Sequence, residues 1–540
     1  MYYIAPAWSD EIKELTHDPL NSLINLLLEG NKEVKIAILN FLPNLRYILH
    51  ENNLTDSDYW NVWDTILNIQ RTDGMPLAPE NLDLPNGAEL IYSNNSISAY
   101  VDDVFYAKIL VNEKGYVTEI QVDYNGERRT DIYDDRGFKI QSKYYQANTI
   151  TQMDWFNEAG QKVIQYVESA ELQIRIVAEQ ERFDREQYAD IDDLLLEITS
   201  KMLQQEFQIS NDIFIASTDA SLKSLMLQIQ NKIPLNYVYG HAGYLEETTI
   251  NNFVPQIKGS SYFFVDNHYT LEQLQDVLDQ DTQAHLKLGY PYGTAMRLGN
   301  SNEEKKLVVY WNAGETTVVE NSKLTANLLI QYMIQHPDVT LLVETEKFNT
   351  ANIIADEVVG YFTEKYRFIS DDQRSTVKSI IMAKNRNQLV RDFIFKIQGQ
   401  VKQSAKSGEQ FDQTVDWDEF LSNLNDFKIT INSKSYEIFA ALEKARILID
   451  MGEPYDTLTQ LNAISAGIPQ INIAESPLVT DQRNGWVVTD QRTLIQGLDY
   501  FLGELGNWNR SLVDSVQYME QFAKQRQADW WERKLYGKKK

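Results

Sequence analysis

The stretch with the most chemical content runs from Asp450 to Ile471. It reads as a strand end, an acidic turn, a helix beginning near Thr457, and a Gly467-Ile468-Pro469 passage into a further strand. In an open parallel sheet, ligands sit beyond the carboxyl ends of the strands, and a helix N-terminus offers amides to an anion. Here Glu453 and Asp456 stand beside those amides, so their charge opposes the anion that such a place would otherwise take. Other chemistries find less support. The six histidines, His17, His50, His241, His268, His285 and His336, show no His-Glu-x-x-His spacing, and neither a Walker nor a Gly-x-Ser-x-Gly motif occurs. The absence of cysteine excludes thiolate zinc sites, disulfides and cysteine nucleophiles. No metal and no cofactor is expected.

A ligand crevice of that kind needs a parallel sheet, and the elements for two are present. Tyr2–Ala5, Val34–Leu39, Ile213–Ala216, Leu235–Gly240 and Tyr262–Val265 read as strands, with Pro19–Leu28, Ile191–Gln208 and Leu271–Leu278 as helices. After the polar break at Asn300–Glu304 a second alternation follows. Its strands are Leu307–Trp311, Val339–Val343, Lys428–Ile431, Arg446–Ile449 and Gln470–Ile473, and its helices include Lys323–His336, Ser435–Ala445 and Leu494–Leu502. Between about Asn86 and Val177 the texture changes to period-two segments rich in Tyr, Val and Ile. The turns there repeat one pattern, Asn112-Glu113-Lys114-Gly115, Asp134-Asp135-Arg136-Gly137 and Asn157-Glu158-Ala159-Gly160, with Asn125-Gly126 as a tighter hairpin. The expected fold is therefore α/β: two Rossmann-like domains with an antiparallel β-meander inserted in the N-terminal one. Expected boundaries are 1–85 and 186–300 for the first half, 86–185 for the meander, 301–510 for the second half, and 511–540 for a helix packing back on the first half. The helix is read as one piece from Ser511 to Leu535.

Charge narrows the partners. The 78 Asp and Glu against 50 Lys and Arg give a net charge of −28, which repels phosphate backbones and anionic lipid. No nucleic acid is expected. The opening residues lack a basic n-region and a long apolar run, and the apolar stretch around Leu23–Leu28 falls far short of the ~20 residues of a membrane span. Neither a secretory signal nor a transmembrane segment is expected, and the cytoplasm is the expected compartment.

The Asp450–Ile471 segment resembles the donor-sugar loop of retaining glycosyltransferases with two Rossmann folds, the GT-B type. That loop has the pattern Glu-Gly-Phe-Gly, four residues, Glu-Ala, three residues, Gly-x-Pro. Asn484-Gly485-Trp486-Val487-Val488 is similar to the turn that follows it, and the inserted meander is similar to that of adhesin-modifying glycosyltransferases. Aligned on Gly467-Ile468-Pro469, the two family glutamates fall on Pro454 and Asn462; Glu453 lies one position from the first. The basic pair that neutralises a leaving diphosphate falls in Trp311-Asn312-Ala313-Gly314-Glu315-Thr316-Thr317-Val318-Val319-Glu320, which holds no Arg or Lys. The resemblance thus implies a vestigial donor cleft at Trp311, Asn312, Glu453, Pro454, Thr457 and Asn462. It also implies an acceptor side at His241, for which an ordinary loop histidine is the alternative. Tyrosines of the meander are available to stack on sugars or a partner, or simply to pack across strands.

A transferase shape with an eroded donor site, together with Tyr2-Tyr3-Ile4-Ala5-Pro6-Ala7-Trp8 and Gly467–Asn472, resembles the first member of the Asp/Gap group of accessory Sec proteins. What this implies is a non-enzymatic scaffold that complexes with companion accessory Sec proteins. It would help deliver glycosylated serine-rich-repeat adhesin to a dedicated motor ATPase and channel. The alternative is an active GT-B glycosyltransferase that uses a UDP-sugar on a Ser/Thr-rich adhesin, with Glu453 in the displaced role.

Overall fold

The computed structural model describes residues 1–10, 15, 18–93, 96–240, 245–314, 319–366, 371–384, 386–396, 416–452, 455–473 and 476–537. The chain forms two compact units. One comprises Met1–Tyr239, Phe253–Phe264 and Lys534–Lys540; the other comprises Gly240–Asn252 and Val265–Arg533.

The parallel sheet of the first unit runs in the order Tyr262–Val265, Leu235–Tyr239, Ile213–Ser217, Tyr2–Ala5, Val34–Ile38, Asp58–Asn61. Tyr2 pairs with Ile213 on one side and Val34 on the other. All four residues of Tyr2–Ala5 are buried, the mark of a strand covered on both faces. Helix Pro19–Glu29 starts where Asp18 accepts from the Asn21 amide at 2.8 Å and Pro19 supplies a preset φ without an amide to satisfy.

Among the described residues, ten antiparallel strands between Glu89 and Tyr188 make the meander, each beside its neighbour in sequence. Its three four-residue turns share one geometry. Gly115, Gly137 and Gly160 hold φ of +84°, +94° and +78°, and each donates its amide at 2.9 Å to the carbonyl of the Asn or Asp three residues earlier. Only glycine takes that φ without strain, which is why the repeat is visible in the sequence. The middle turn also anchors the meander to the parallel-sheet part of its unit. Arg136, 6% exposed, grips Asp64 of helix Val62–Leu67 at 2.8 and 3.0 Å and Asp134 at 2.7 and 2.8 Å.

Among the described residues of the second unit, six parallel strands lie in the order Phe427–Ile431, Val339–Thr345, Leu307–Asn312, Ala445–Asp450, Gln470–Asn472, Gly485–Val487. The first strand in sequence sits in the middle and the direction of winding reverses beside it, as in a Rossmann sheet. One expectation is corrected. The single helix read over Ser511–Leu535 is two, Leu505–Gln521 and Lys524–Tyr536. Thr294 takes the carbonyls of Met519 at 2.7 Å and Phe522 at 2.8 Å, so helical hydrogen bonding stops there and Ala523 bridges to Thr294 instead. Among the described residues no helix is long and apolar enough to cross a membrane.

Candidate functional site

The reversal of winding in the second unit falls between Leu307–Asn312 and Ala445–Asp450, so their carboxyl ends open the crevice that such sheets use for ligands. Asn312 and Asp450 are register partners there, flanked by Glu344 on one side and Asn472 on the other. A polar row on a buried edge requires partners for its atoms. Glu344 accepts from the Thr430 hydroxyl at 2.5 Å and the Ser433 amide at 2.9 Å. Asp450 accepts from the amides of Asp456 (3.2 Å) and Gly452 (3.3 Å) and from Gln460 Nε2 (3.1 Å). Among the described residues both side-chain amide atoms of buried Asn472 are without a partner.

Helix Thr457–Ala466 points its N-terminus at this row, and the place an anion would take is filled by Asp456. Its Oδ1 accepts from the amides of Leu458 (3.0 Å) and Thr459 (3.3 Å), its Oδ2 accepts from the Thr459 hydroxyl (2.7 Å), and Asn312 Nδ2 approaches the same Oδ2 at 3.5 Å. The other end of the helix closes on Gly467 at φ +73°, where a Cβ would meet Leu512 Cδ1 at 2.4 Å, and Pro469 then leads into Gln470–Asn472. That is the structural content of the Gly-x-Pro signal.

The electrostatics around the cap are acidic. Burial pushes the Asp450 carboxyl up to about 7, and the charge of Asp456 pushes in the same direction. Burial likewise raises Asp266 to about 7, against hydrogen bonds from Asn267 and Tyr292, with Asp456 again raising it. Asp266 arrives from a distant part of the chain, and its carbonyl accepts from the Thr457 hydroxyl at 3.0 Å. Three acids therefore surround the amides, and among the described residues no group of His, Asp and Glu has the arrangement of a metal site. Such a crevice is a poor host for a diphosphate, whose charges would have to displace the Asp456 carboxylate beside two further acids.

A family model for accessory secretory protein 1, the first Asp-type protein of the accessory Sec system, matches residues 1–538. The chain belongs to that family. It is 22% identical over 541 residues to the accessory Sec system protein of the same name from Streptococcus gordonii, covering 96% of this chain and 95% of that protein. Its fold is similar to a chain in the crystal structure of accessory secretory proteins 1, 2 and 3 of Streptococcus pneumoniae, with a TM-score of 0.72, 20% identity, and 100% and 99% of the two chains covered. It is also similar to the pneumococcal O-GlcNAc transferase GtfA solved with UDP and GlcNAc, with a TM-score of 0.67 at 11% identity and 99% of each chain covered. The fold is that of GT-B glycosyltransferases, here in a chain of the accessory secretory protein 1 family.

Of the residues that the sequence singled out, the structure of this family member brings Asn312 and Thr457 to the crevice beside Asp456. Trp311, one position from Asn312, turns into the hydrophobic core, where it is 1% exposed and its indole N–H has no partner among the described residues. Asn462 is half-buried in the middle of the helix. Glu453, Pro454 and His241 lie outside the described residues, as does Glu315–Val318 of the stretch without Lys or Arg. Sequence reasoning passed over Asp266, Gln460 and Asn472. Gln460 and Asn472 were accessible from the strand and helix ends around Gly-x-Pro; Asp266 carries no local signal at all.

Proposed function

We propose that the chain is a non-enzymatic component of the accessory Sec export system, a GT-B-shaped scaffold that joins companion accessory Sec proteins in the cytoplasm. The complex helps deliver glycosylated serine-rich-repeat adhesin to the dedicated motor ATPase and channel. One observation carries the non-enzymatic part: Asp456 occupies the helix amides that a diphosphate would need, with Asp450 and Asp266 behind it. Leaving-group charge must be stabilised for a sugar–phosphate bond to break, and carboxylates oppose that. In this reading Asn312 and Thr457 mark the eroded donor cleft to which the sequence also assigns Glu453, Pro454 and Asn462, and His241 belongs to the acceptor side. Membership of the accessory secretory protein 1 family and the likeness to a chain solved among accessory secretory proteins 1, 2 and 3 support the scaffold role.

Calorimetric titration of the full chain with UDP and UDP-N-acetylglucosamine is expected to give no binding heat, while affinity capture from native cytosol recovers companion accessory Sec proteins. Saturable UDP-sugar binding with transfer onto a Ser/Thr-rich acceptor overturns this and restores the active-glycosyltransferase alternative.

A further inference from the structure

A cavity of about 1040 Å³ lies within the first unit, far in sequence from the crevice of the second. Its walls come from the 44–76 segment, the Asn112–Thr118 turn of the meander, Tyr133 and Asp135, and the end of helix Ile191–Glu206. It is as large as the roomiest small-molecule sites, so a ligand need not fill it.

Two features of the lining select the ligand. The first is aromatic content: Tyr47, Tyr59, Trp60, Tyr116 and Tyr133 all stand on the wall. Among the described residues none of the four phenol oxygens has a hydrogen-bond partner, so each tyrosine offers lone pairs as well as a ring face. The second is an imbalance of charge. Each Lys and Arg on the wall is in an ion pair: Arg46 with Asp135 at 3.7 Å, Lys201 with Glu197 at 2.8 Å, and Arg182 with Glu179. Of the acids there, Asp64 is held by Arg136 at 2.8 Å and Glu206 by Lys35 at 2.6 Å. Asp58 is left over. Its register partner on the next strand is Lys35, whose ammonium goes to Glu206, and among the described residues the exposed Asp58 carboxylate has neither an ion pair nor a hydrogen bond. An anion would find no free cation on this wall, and a neutral ligand would leave the carboxylate idle.

We propose that this cavity binds an organic ammonium ion, the group carried by free polyamines and by lysine side chains. The face of an aromatic ring attracts a cation within about 6 Å of its centre, and Trp and Tyr are the rings that do so best. A carboxylate among the rings supplies the full opposite charge, and phenol oxygens accept the N–H bonds of an ammonium group. Two buried atoms of the wall have no partner among the described residues. Asn44 Oδ1 is a further acceptor for the ligand, whereas Arg46 Nη1 is a donor and takes no part. The net charge of −28 raises the local concentration of cations, which helps such a ligand arrive and hinders an anion. The proposal is independent of the export reading and of the crevice in the second unit.

The test uses the full chain at pH 8 and about 150 mM NaCl, where diffuse attraction to the acidic surface is screened. At that pH Asp135, lifted to about 7 by burial with Asp134 adding to it, is ionised and balances Arg46. Tetramethylammonium, spermidine and N-acetyl-lysine methylamide are the probes, read by calorimetry and saturation-transfer NMR. At least one should bind saturably, with one site per chain. Tighter binding of the lysine amide than of spermidine supports an ammonium group presented by a protein side chain, and the reverse order supports a free amine. Asp58→Asn should weaken binding about tenfold, while Asp338→Asn, at an exposed position of the second unit, leaves it unchanged. Tyr59→Leu with Tyr116→Leu removes two ring faces and should also weaken it about tenfold; Tyr59→Phe with Tyr116→Phe keeps the faces and should cost no more than about threefold. If the leucine pair lowers the thermal midpoint, Asp58→Asn at its exposed position decides. Three results overturn the proposal: no probe saturating, Asp338→Asn weakening binding as much as Asp58→Asn, or the phenylalanine pair losing as much as the leucine pair.

Discussion

A carboxyl that ends a buried strand has few ways to keep its charge. Asp450 accepts three hydrogen bonds, and burial beside Asp456 still lifts it to about 7, as burial lifts Asp266. A carboxyl raised in the folded state holds a proton that the unfolded chain has already released, between the ordinary value near 4 and the folded value near 7. Stability therefore falls as pH rises across that window and levels off above it. Each such group contributes a slope of at most about 1.4 kcal/mol per pH unit. Asp450→Asn cannot ionise and should flatten the decline between pH 5 and 7.5 by about one group's worth, read from urea denaturation at a series of pH values. An unchanged slope would mean that Asp450 is ionised throughout. The pH dependence, rather than the absolute stability, is the readout, because an asparagine amide also replaces one of the two acceptor atoms.

At the scale of elements, the three repeated turns of the meander allow a comparison within one protein. Gly137 and Gly160 share the turn geometry and differ in surroundings. A Cβ on Gly160 meets nothing within 4 Å, whereas one on Gly137 would lie 2.3 Å from the Met75 carbonyl oxygen, in the region where Arg136 ties the turn to Asp64. Gly160→Ala should cost only the left-handed backbone, about 1 kcal/mol, and Gly137→Ala at least about twice that, since backbone and not a flexible side chain must move. Denaturant midpoints of the two variants decide it, and equal costs would refute the difference in environment. These turns also mark what was legible in the sequence. Gly115, Gly137 and Gly160 announce themselves because positive φ singles out one residue type, and buried β-branched and aromatic runs announce the parallel strands. The break near Phe522 was invisible, because it depends on Thr294, more than two hundred residues away, taking the helix carbonyls. Asp266 beside Thr457 was invisible for the same reason. Trp311, expected at the cleft, lies in the core, because residues alternate in direction along a strand and the side each one faces is set by register.

For the whole molecule the dominant number is the net charge of −28. Self-repulsion on that scale opposes the compact state, and salt relieves it: the screening length shortens from roughly 20 Å at low salt to below ~10 Å above 0.1 M. Salt also weakens ion pairs, so the direction depends on where they lie. The pairs with most to lose are shielded, since Arg136 is only 6% exposed and its bonds to Asp64 and Asp134 are screened little. Pairs at the surface, such as Arg483 with Asp514, are solvated and contribute little. Repulsion should win. Raising NaCl from about 20 to about 300 mM is expected to raise the thermal midpoint by roughly 1–3 °C at pH 8. The gain should shrink toward pH 5.5, where Asp135, Asp266 and Asp450 are protonated in the fold and the excess of negative charge is smaller. A midpoint that falls with salt at pH 8 would show that surface ion pairs, and not the excess charge, dominate the electrostatics of this chain.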